Sequence, residues 1–558
     1  ARLARELNIS EITAGCLIRR GYPDTESAKK FLFPRLRDLS PPDRMADLPR
    51  GAARLADAIM ARERIGVFGD YDVDGLTSTA LMYLFLRETA STVEVRTANR
   101  FSGGYGLDVG VVDGFRDSGC GTIVVVDCGT SDHEAIDRAT ACGMDVIVVD
   151  HHRVDVAIPR AYAFINPQRH DCGFDDKNLA AVGLTFYFCA AVKSRLVHLG
   201  FLSQDEIDMR KYLDLVALGT IADVVPLDGN NRILVSHGMK VLSEHRRPGI
   251  EAMVTTARIH ARTFTAAHIS FQLAPRLNAA GRLSDAMNAF ELLVSTVQTD
   301  AMEYAGVLEQ MTHERREIEA QVSAEARRIA AEQAKENPRI MVVNGAGWHK
   351  GVLGIVAARL SDEFQMPVYV IGVTGGVGTG SARGAGQLNL YDSLNDCADL
   401  LLRYGGHRDA AGFSVAEEHI PSLRQRLQVY ADGHWTQARR NAILCDATLH
   451  PSQLTRRFYN ELQLLGPFGF QNPEPVFQID GLDVLSARVV GTGHLKLQLK
   501  TPTGSIAAFG PGMGTAAEGL PSPICVAASL SSDEWWGDDA IELRLVAPPL
   551  PGGAGESF

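Results

Sequence analysis

Acidic side chains gather where short apolar runs end. Gly69-Asp70-Tyr71-Asp72-Val73-Asp74-Gly75 follows Ile65-Gly66-Val67-Phe68, Asp127 follows Ile123-Val124-Val125-Val126, and Asp150-His151-His152 follows Val146-Ile147-Val148-Val149. So many carboxylates in turns would repel one another unless cations sat among them, which makes a metal site the first reading. Oxygen and imidazole donors without thiolate partners favour manganese or magnesium over structural zinc. Two such ions about 3.5–4 Å apart, sharing an aspartate, suit hydrolysis of a phosphodiester or phosphoanhydride. Each piece has a plainer reading. A lone Asp-x-Asp is more often a turn or a helix cap, a histidine pair is seldom a ligand set, and Cys128 suits a small buried position. Three pieces at successive strand ends shift the balance to a metal site.

The elements that must position these acids read as strand and helix units. Between the apolar strands, Leu76 to Arg87 and Asp132 to Cys142 read as helices, with a further strand at Val93 to Arg96. Apolar runs without alternation are what a parallel sheet covered on both faces produces. Asp70, Asp127 and Asp150 would then lie along one edge of the sheet, at the carboxyl ends of strands, where open α/β sheets bind ligands. The 23 residues from Asp127 to Asp150 fit one helical crossover. Asp223, in the mainly apolar stretch Leu218 to Leu227, is a fourth candidate.

Further along, Met287 to Pro338 is rich in Ala, Glu, Gln and Arg and reads as a long helix, roughly 45 Å for thirty residues, able to bridge two bodies. A second α/β block runs from Ile340 to about Val429, and a strand-rich block from about Cys445 to Val546. The Pro/Gly-rich stretch from Pro548 to Phe558 is expected to be disordered.

A chain of 558 residues, 46% hydrophobic and 22% charged, implies three or four domains. No run of eighteen apolar residues and no signal-peptide pattern occurs, so a soluble, cytoplasmic protein is expected, although Ala1 in place of Met leaves the natural start open. Nine scattered cysteines without a Cys-x-x-Cys pair argue against a disulfide framework and structural zinc. A net charge of −12 argues against coating nucleic acid by bulk electrostatics but leaves room for a local basic groove.

The order and spacing of GDYDVDG, VVVDCG, Asp150-His151-His152 and ALGTIADVVPL resemble the four-motif signature of the DHH phosphoesterase superfamily. Within it the likeness is nearest to bacterial exonucleases that degrade single-stranded DNA from the 5′ end. The stretches 274–283, 347–356, 405–413 and 467–475, with Arg19-Arg20-Gly21 and Phe31-Leu32-Phe33-Pro34, carry the likeness over essentially the whole chain. It implies an α/β fold: an N-terminal helical segment (1–48), a parallel-sheet DHH catalytic domain (49–286), a connecting helix (287–338), a smaller α/β DHH-associated domain (339–438), a C-terminal OB-fold β-barrel (439–548) and a disordered tail (549–558).

The resemblance further implies that Asp72, Asp74, Asp127, His151 and Asp223 hold two manganese or magnesium ions, with Asp127 as the bridge. Asp70 is a further ligand, His152 a further catalytic residue, and Asp150 orients a histidine from behind. One departure stands out: many superfamily members carry a histidine where this chain has Phe68, four residues before Asp72, and Asp70 is the candidate to replace it. Gly405, Gly406 and His407 would approach a phosphate, while Arg100 (beside Phe101), Arg276, Asn278, Arg282, Ser381 and Arg383 would gather the phosphates of a 5′-phosphorylated end. In the barrel, Arg456, Arg457, Lys496 and Lys500 would supply charge, and Phe458, Tyr459 and His494 stacking surfaces. Of Trp535 and Trp536, adjacent on a strand, at most one can face DNA.

The implied activity is divalent-metal 5′→3′ digestion of single-stranded DNA in recombination and repair. The implied enzyme is a monomer away from membranes, with single-strand-binding protein and a helicase as partners and a narrow inter-domain passage that excludes duplex. Two other readings compete. A DHH phosphodiesterase of short oligonucleotides or cyclic dinucleotides would commonly lack the block beyond residue 440, and a catalytically dead nucleic-acid scaffold would not need nearly every ligand-type residue.

Overall fold

The computed structural model describes residues 1–99, 106–154, 157–260, 264–384, 386–435, 443–491, 493–502, 504–532 and 540–552. Arg100, Phe101, Trp535 and Trp536 lie outside them. The chain divides into two compact units, residues 1–274 with 290–302 and 442–558, and residues 275–289 with 303–441.

In the first unit the apolar runs form one wholly parallel sheet of β1 (Arg64–Gly69), β2 (Thr92–Thr97), β3 (Cys120–Val126), β4 (Asp145–Val149) and β5 (Ala163–Ile165), in the order β2-β1-β3-β4-β5. Strands β1, β3, β4 and β5 are buried along almost their whole length, which explains their unbroken hydrophobicity. The helix Val73–Glu88 follows β1, is buried on nearly every side, and packs on the helices Ala181–His198 and Leu213–Ala222. Strand order reverses between β1 and β3, and this switch point opens the crevice in which such sheets bind ligands. Asp70 leaves β1, Asp127 leaves β3 and Asp150 leaves β4.

The same unit contains a second sheet of β11 (Ala447–Leu449), β12 (Phe477–Val490), β13 (His494–Thr501), β14 (Gly504–Gly510), β15 (Ile524–Ser532), β16 (Ile541–Leu545) and β17 (Leu550–Pro551). Because β12 pairs with both β13 and β15, the circuit β12-β13-β14-β16-β15 closes into the five-stranded barrel of an OB-fold. Cys525 and Ile524 pair with Leu550 and Pro551, so main-chain bonding orders the start of the stretch expected to be disordered. Three N-terminal helices, Arg2–Leu7, Glu11–Arg19 and Thr25–Leu32, do not form a body of their own. Leu3, Leu17, Phe31 and Leu32 share one apolar core with Phe477, Ile479, Leu497 and Val526 of the barrel, because short amphipathic helices must bury their stripe against another layer.

The second unit holds a mixed sheet of β6 (Met341–Ala346), β7 (Val368–Thr374), β8 (Val377–Arg383), β9 (Leu401–Gly406) and β10 (Ala410–Ala416), ordered β6-β7-β8-β10-β9 with only β6 and β7 parallel. The helices Leu353–Phe364 and Ile420–His434 complete it. The expected single helix over 287–338 is two helices, Met287–Val294 and Gln298–Ala334. The break falls at Ser295-Thr296-Val297, where a hydroxyl and two β-branched residues weaken helix propensity. The longer helix, 37 residues, begins in the first unit's chain and continues in the second.

Candidate metal centre

Asp72 caps the helix Val73–Glu88, accepting the Gly75 N–H at 3.1 Å, and places Asp74 in its first turn. A Cβ on Gly75 would stand 2.5 Å from the Asp70 carbonyl oxygen, so only glycine allows the turn out of β1 to be this tight. Asp74 is buried and accepts the N–H groups of Ala181 (2.7 Å) and Val182 (2.9 Å), which open the helix Ala181–His198. The helix Leu213–Ala222 comes equally close through Gly219, whose Cβ would lie 2.3 Å from Thr77 Oγ1 and 3.0 Å from Asp74 Oδ1. Asp223 ends that helix.

Asp127 leaves β3 with φ of 60°, a left-handed conformation that costs roughly 1–2 kcal/mol outside glycine, and its N–H donates to the Val149 carbonyl at 3.0 Å. His151 draws the acids together. Its Nε2 is 3.4 Å from Asp127 Oδ1, 3.6 Å from Asp223 Oδ2 and 4.0 Å from Asp74 Oδ2. Among the described residues three donor sets have ligand atoms within 4.8 Å of one another: Asp70, Asp72 and Asp127; Asp74, His151 and Asp223; Asp127, His151 and His152. Asp127 therefore stands between the Asp70–Asp72 side and the His151 side. Phe68 is fully buried in the core and offers nothing to the cluster.

The electrostatics match the donor set. Burial, followed by repulsion from Asp74, Asp72, Asp70 and Asp223, pushes the Asp127 carboxyl well above the usual range. Burial and Asp72 raise Asp74 to about 7, and burial with Asp74 and Asp72 raises Asp223 to about 9. Burial and the neighbouring His152 lower His151 to about 4, leaving a neutral imidazole with a free lone pair to offer. Burial opposes the charging of His152, but its hydrogen bond to Asp150 overrides this and raises it to about 9. Asp150, although buried, is held below the usual carboxylate range because His152 Nδ1 (2.7 Å), the N–H groups of His151 (2.7 Å) and His152 (3.2 Å), and Thr130 through N–H (3.1 Å) and Oγ1 (2.5 Å) all address its oxygens. Mutually repelling acids around a neutral imidazole fit hard divalent cations.

Two residues of the centre escape sequence reasoning. Thr130 grips Asp150, and buried Asn166 donates to Thr130 Oγ1 (3.2 Å) and to the His152 carbonyl (2.8 Å). Thr130 closes the VVVDCGT run, and Asn166 is the first polar residue after the apolar β5, a signal visible only once the strand is known.

In the second unit, Arg383 Nη1 donates to Ser381 Oγ at 3.0 Å. A Cβ on Gly354, the second residue of the helix Leu353–Phe364, would lie 3.0 Å from Arg383 Nη2 and 3.2 Å from Ser381 Oγ. A guanidinium, a hydroxyl and a helix start thus converge in an arrangement apt for an anion. Arg276 is buried and forked onto Glu309 at 2.6 and 3.2 Å. Asn278 is half-buried on the same helix, Ala274–Leu283, and Arg282 donates to the Gly351 carbonyl at 3.1 Å. Gly406, with φ of 134°, is required by the hairpin itself, since a Cβ would meet the Ala410 carbonyl at 2.5 Å. Gly405 and His407 are exposed beside it.

The barrel corrects one expectation. Arg456 to Tyr459 lie on a helix, Arg456–Leu462, and Phe458 is buried against Phe477 with ring centroids 5.8 Å apart, so it belongs to the core and cannot stack on bases. Arg456 covers the Tyr459 ring at 4.9 Å, Lys496 pairs with Glu542 at 2.8 Å, Lys500 lies 4.0 Å from Asp483, His494 tilts on Phe509, and Arg457 is exposed.

Comparison with known proteins shows three matching family models: the N-terminal domain of the DHH family over residues 64–220, the DHHA1 domain over 337–432 and the RecJ OB domain over 445–547. The single-stranded-DNA-specific exonuclease RecJ of Bacillus subtilis is 32% identical over 540 residues, 96% of this chain and 67% of that protein. Its counterpart in Dickeya dadantii is 39% identical over 464 residues, 80% of each, and that of Escherichia coli is 36% identical over 501 residues, 87% and 86%. Among solved structures, RecJ of Thermus thermophilus in complex with Mn2+ superposes with a TM-score of 0.82 at 30% identity, covering 98% of this chain and 76% of that one.

Proposed function

We propose, from the premise that the chain belongs to the RecJ family of single-stranded-DNA-specific exonucleases, that it degrades single-stranded DNA in the 5′→3′ direction by phosphodiester hydrolysis, in recombination and repair. The observation that carries this reading is the meeting of donor sets at Asp127. Asp70, Asp72 and Asp127 would hold one manganese or magnesium ion, and Asp74, Asp127, His151 and Asp223 the other. Such ions supply a water of lowered pKa and neutralise charge at the phosphate.

The chain's own residues do the rest. Main-chain N–H groups of Ala181 and Val182 fix the Asp74 carboxylate, and Asp150 fixes the His152 ring through Nδ1. His152, with 41% of its side chain exposed, is placed to address a phosphate oxygen or the departing 3′-oxygen. Ser381, Arg383 and the start of the helix Leu353–Phe364 would take the 5′ phosphate. Arg100, Arg276, Asn278, Arg282, Gly405, Gly406 and His407 are proposed as further phosphate contacts, Arg276 exchanging its Glu309 partner. On this reading residues 49–286 carry the chemistry, 339–438 the strand's end and 439–548 the strand behind it. The enzyme would act as a cytoplasmic monomer on strands opened by a helicase and coated by single-strand-binding protein.

Digestion of 3′-labelled single strands with Mn2+ tests the reading. Progressive shortening from the 5′ end, with the label retained until late, is expected. Early release of a labelled 3′ nucleotide, or cleavage confined to dinucleotides, would overturn it.

A further inference from the structure

The stretch Gly466-Pro467-Phe468-Gly469-Phe470-Gln471-Asn472-Pro473 forms a turn closed by two bonds, Gly469 N–H to Asn472 O at 2.9 Å and Asn472 N–H to Gly469 O at 3.1 Å, with Phe470 and Gln471 at its tip. Its base is clamped. Buried Asn472 donates to the carbonyls of Leu465 (2.9 Å) and Pro467 (2.8 Å) and accepts from Arg20 Nε at 3.1 Å, while Arg20 Nη2 donates to Pro473 O at 2.8 Å. Buried Arg232 donates to Gly466 O at 2.6 Å and covers the Phe31 ring at 3.6 Å. The clamp thus uses the Arg19–Gly21 and Phe31–Pro34 segments.

The tip is bonded to the loop that carries Asp223. Leu227 N–H donates to the Phe470 carbonyl at 3.0 Å, and Leu227 is only four residues beyond Asp223, at most about 14 Å of chain. The Phe470 side chain nevertheless faces water, with 51% of the residue exposed. Val224, next to Asp223, is 62% exposed and held at φ of 59°, a genuine outlier for a β-branched residue of the kind that clusters at functional sites. An aromatic fixed by its backbone yet presented to solvent adds little to the fold, and its value lies in what can pack on it.

We propose that Phe470 is a stacking platform for a nucleobase of the single strand whose scissile phosphate occupies the metal centre. This rests on the reading of that centre as a nuclease site. A base is the fitting occupant because every base has a π-face, so contact there holds the strand without reading its sequence. A duplex, whose bases are already stacked, cannot offer one without unpairing.

The test compares wild type, Phe470→Ala and Phe470→Tyr on 5′-phosphorylated single strands carrying one abasic position moved stepwise from the 5′ end, with Mn2+ affinity measured alongside. Phe470→Ala is expected to raise KM roughly tenfold, to leave kcat and Mn2+ affinity near wild type, and to become insensitive to the one abasic position that slows wild type. Phe470→Tyr is expected to restore both. An unchanged KM, an abasic profile identical in the two enzymes, or a loss of Mn2+ affinity in Phe470→Ala would overturn the proposal while wild-type digestion keeps the exonuclease reading intact. A wild type inactive on single strands would sink the exonuclease reading, and this inference with it.

Discussion

His152 Nδ1 lies 2.7 Å from Asp150 Oδ1, and that bond raises His152 to about 9, while burial and the neighbouring His152 lower His151 to about 4. One dipeptide thus supplies a neutral donor to the acidic cluster and a cation beside it.

Asp150→Asn removes the charge that holds His152 protonated. In the metal-free protein the His152 pKa, followed by NMR titration, should fall from about 9 toward the ordinary value near 6.5. Turnover should drop about 10–100-fold with KM for DNA little changed. A His152 pKa still near 9 would show that another group charges the ring.

Metal-free stability should fall with rising pH. Asp74 and Asp223, raised to about 7 and about 9, keep protons that an unfolded aspartate loses near pH 4, and His152 keeps its proton to about 9 against 6.5 unfolded. The folded state therefore binds more protons than the unfolded chain, and stability is lost as pH climbs. His151, lowered to about 4, acts in the opposite sense only between about 4 and 6.5. From pH 6.5 to 9 the Tm in chelator should decline more steeply for wild type than for Asp223→Asn, while the stabilisation added by Mn2+ grows. A rising Tm in chelator would contradict the charge assignment.

Gly219→Ala places a methyl 2.3 Å from Thr77 Oγ1 and 3.0 Å from Asp74 Oδ1. The helices Leu213–Ala222 and Val73–Glu88 must part, at a cost of about 1–3 kcal/mol. Mn2+ affinity should weaken roughly tenfold because Asp223 moves with its helix. Calorimetric titration at wild-type affinity would remove Gly219 from the centre.

Arg383→Ala should cut the preference for 5′-phosphorylated over 5′-hydroxyl strands roughly tenfold, the worth of a charged hydrogen bond. Arg276→Ala removes the fork between buried Arg276 and half-buried Glu309 and should in addition lower Tm. Equal rates on both kinds of end in the wild type would contradict the phosphate role.

Much of the centre was legible because its logic is local: apolar runs gave the parallel strands, and acids just beyond them had to share an edge. Thr130, Asn166, Gly219 and the Ala181 and Val182 N–H groups were not, since they act through hydroxyl, amide, main chain or a missing side chain. Gly219 inside a mainly apolar helix was the one visible cue. The shared core of Leu17 and Phe31 with Phe477 and Leu497 joins residues hundreds apart, beyond any periodicity. Phe458 misled because an aromatic after two arginines looks like a nucleic-acid contact, whereas Thr455, which accepts the Phe458 N–H at 3.2 Å, caps a helix that turns the ring inward.

The central claim is that the carboxylates around Asp127 hold the ions that hydrolyse the strand. Asp127→Ala, assayed for Mn2+ binding and for single-strand digestion in the same preparation, tests it most directly. Loss of at least one bound Mn2+ together with a fall in turnover of roughly a thousandfold or more is expected; near-normal turnover, or full Mn2+ occupancy, would contradict it.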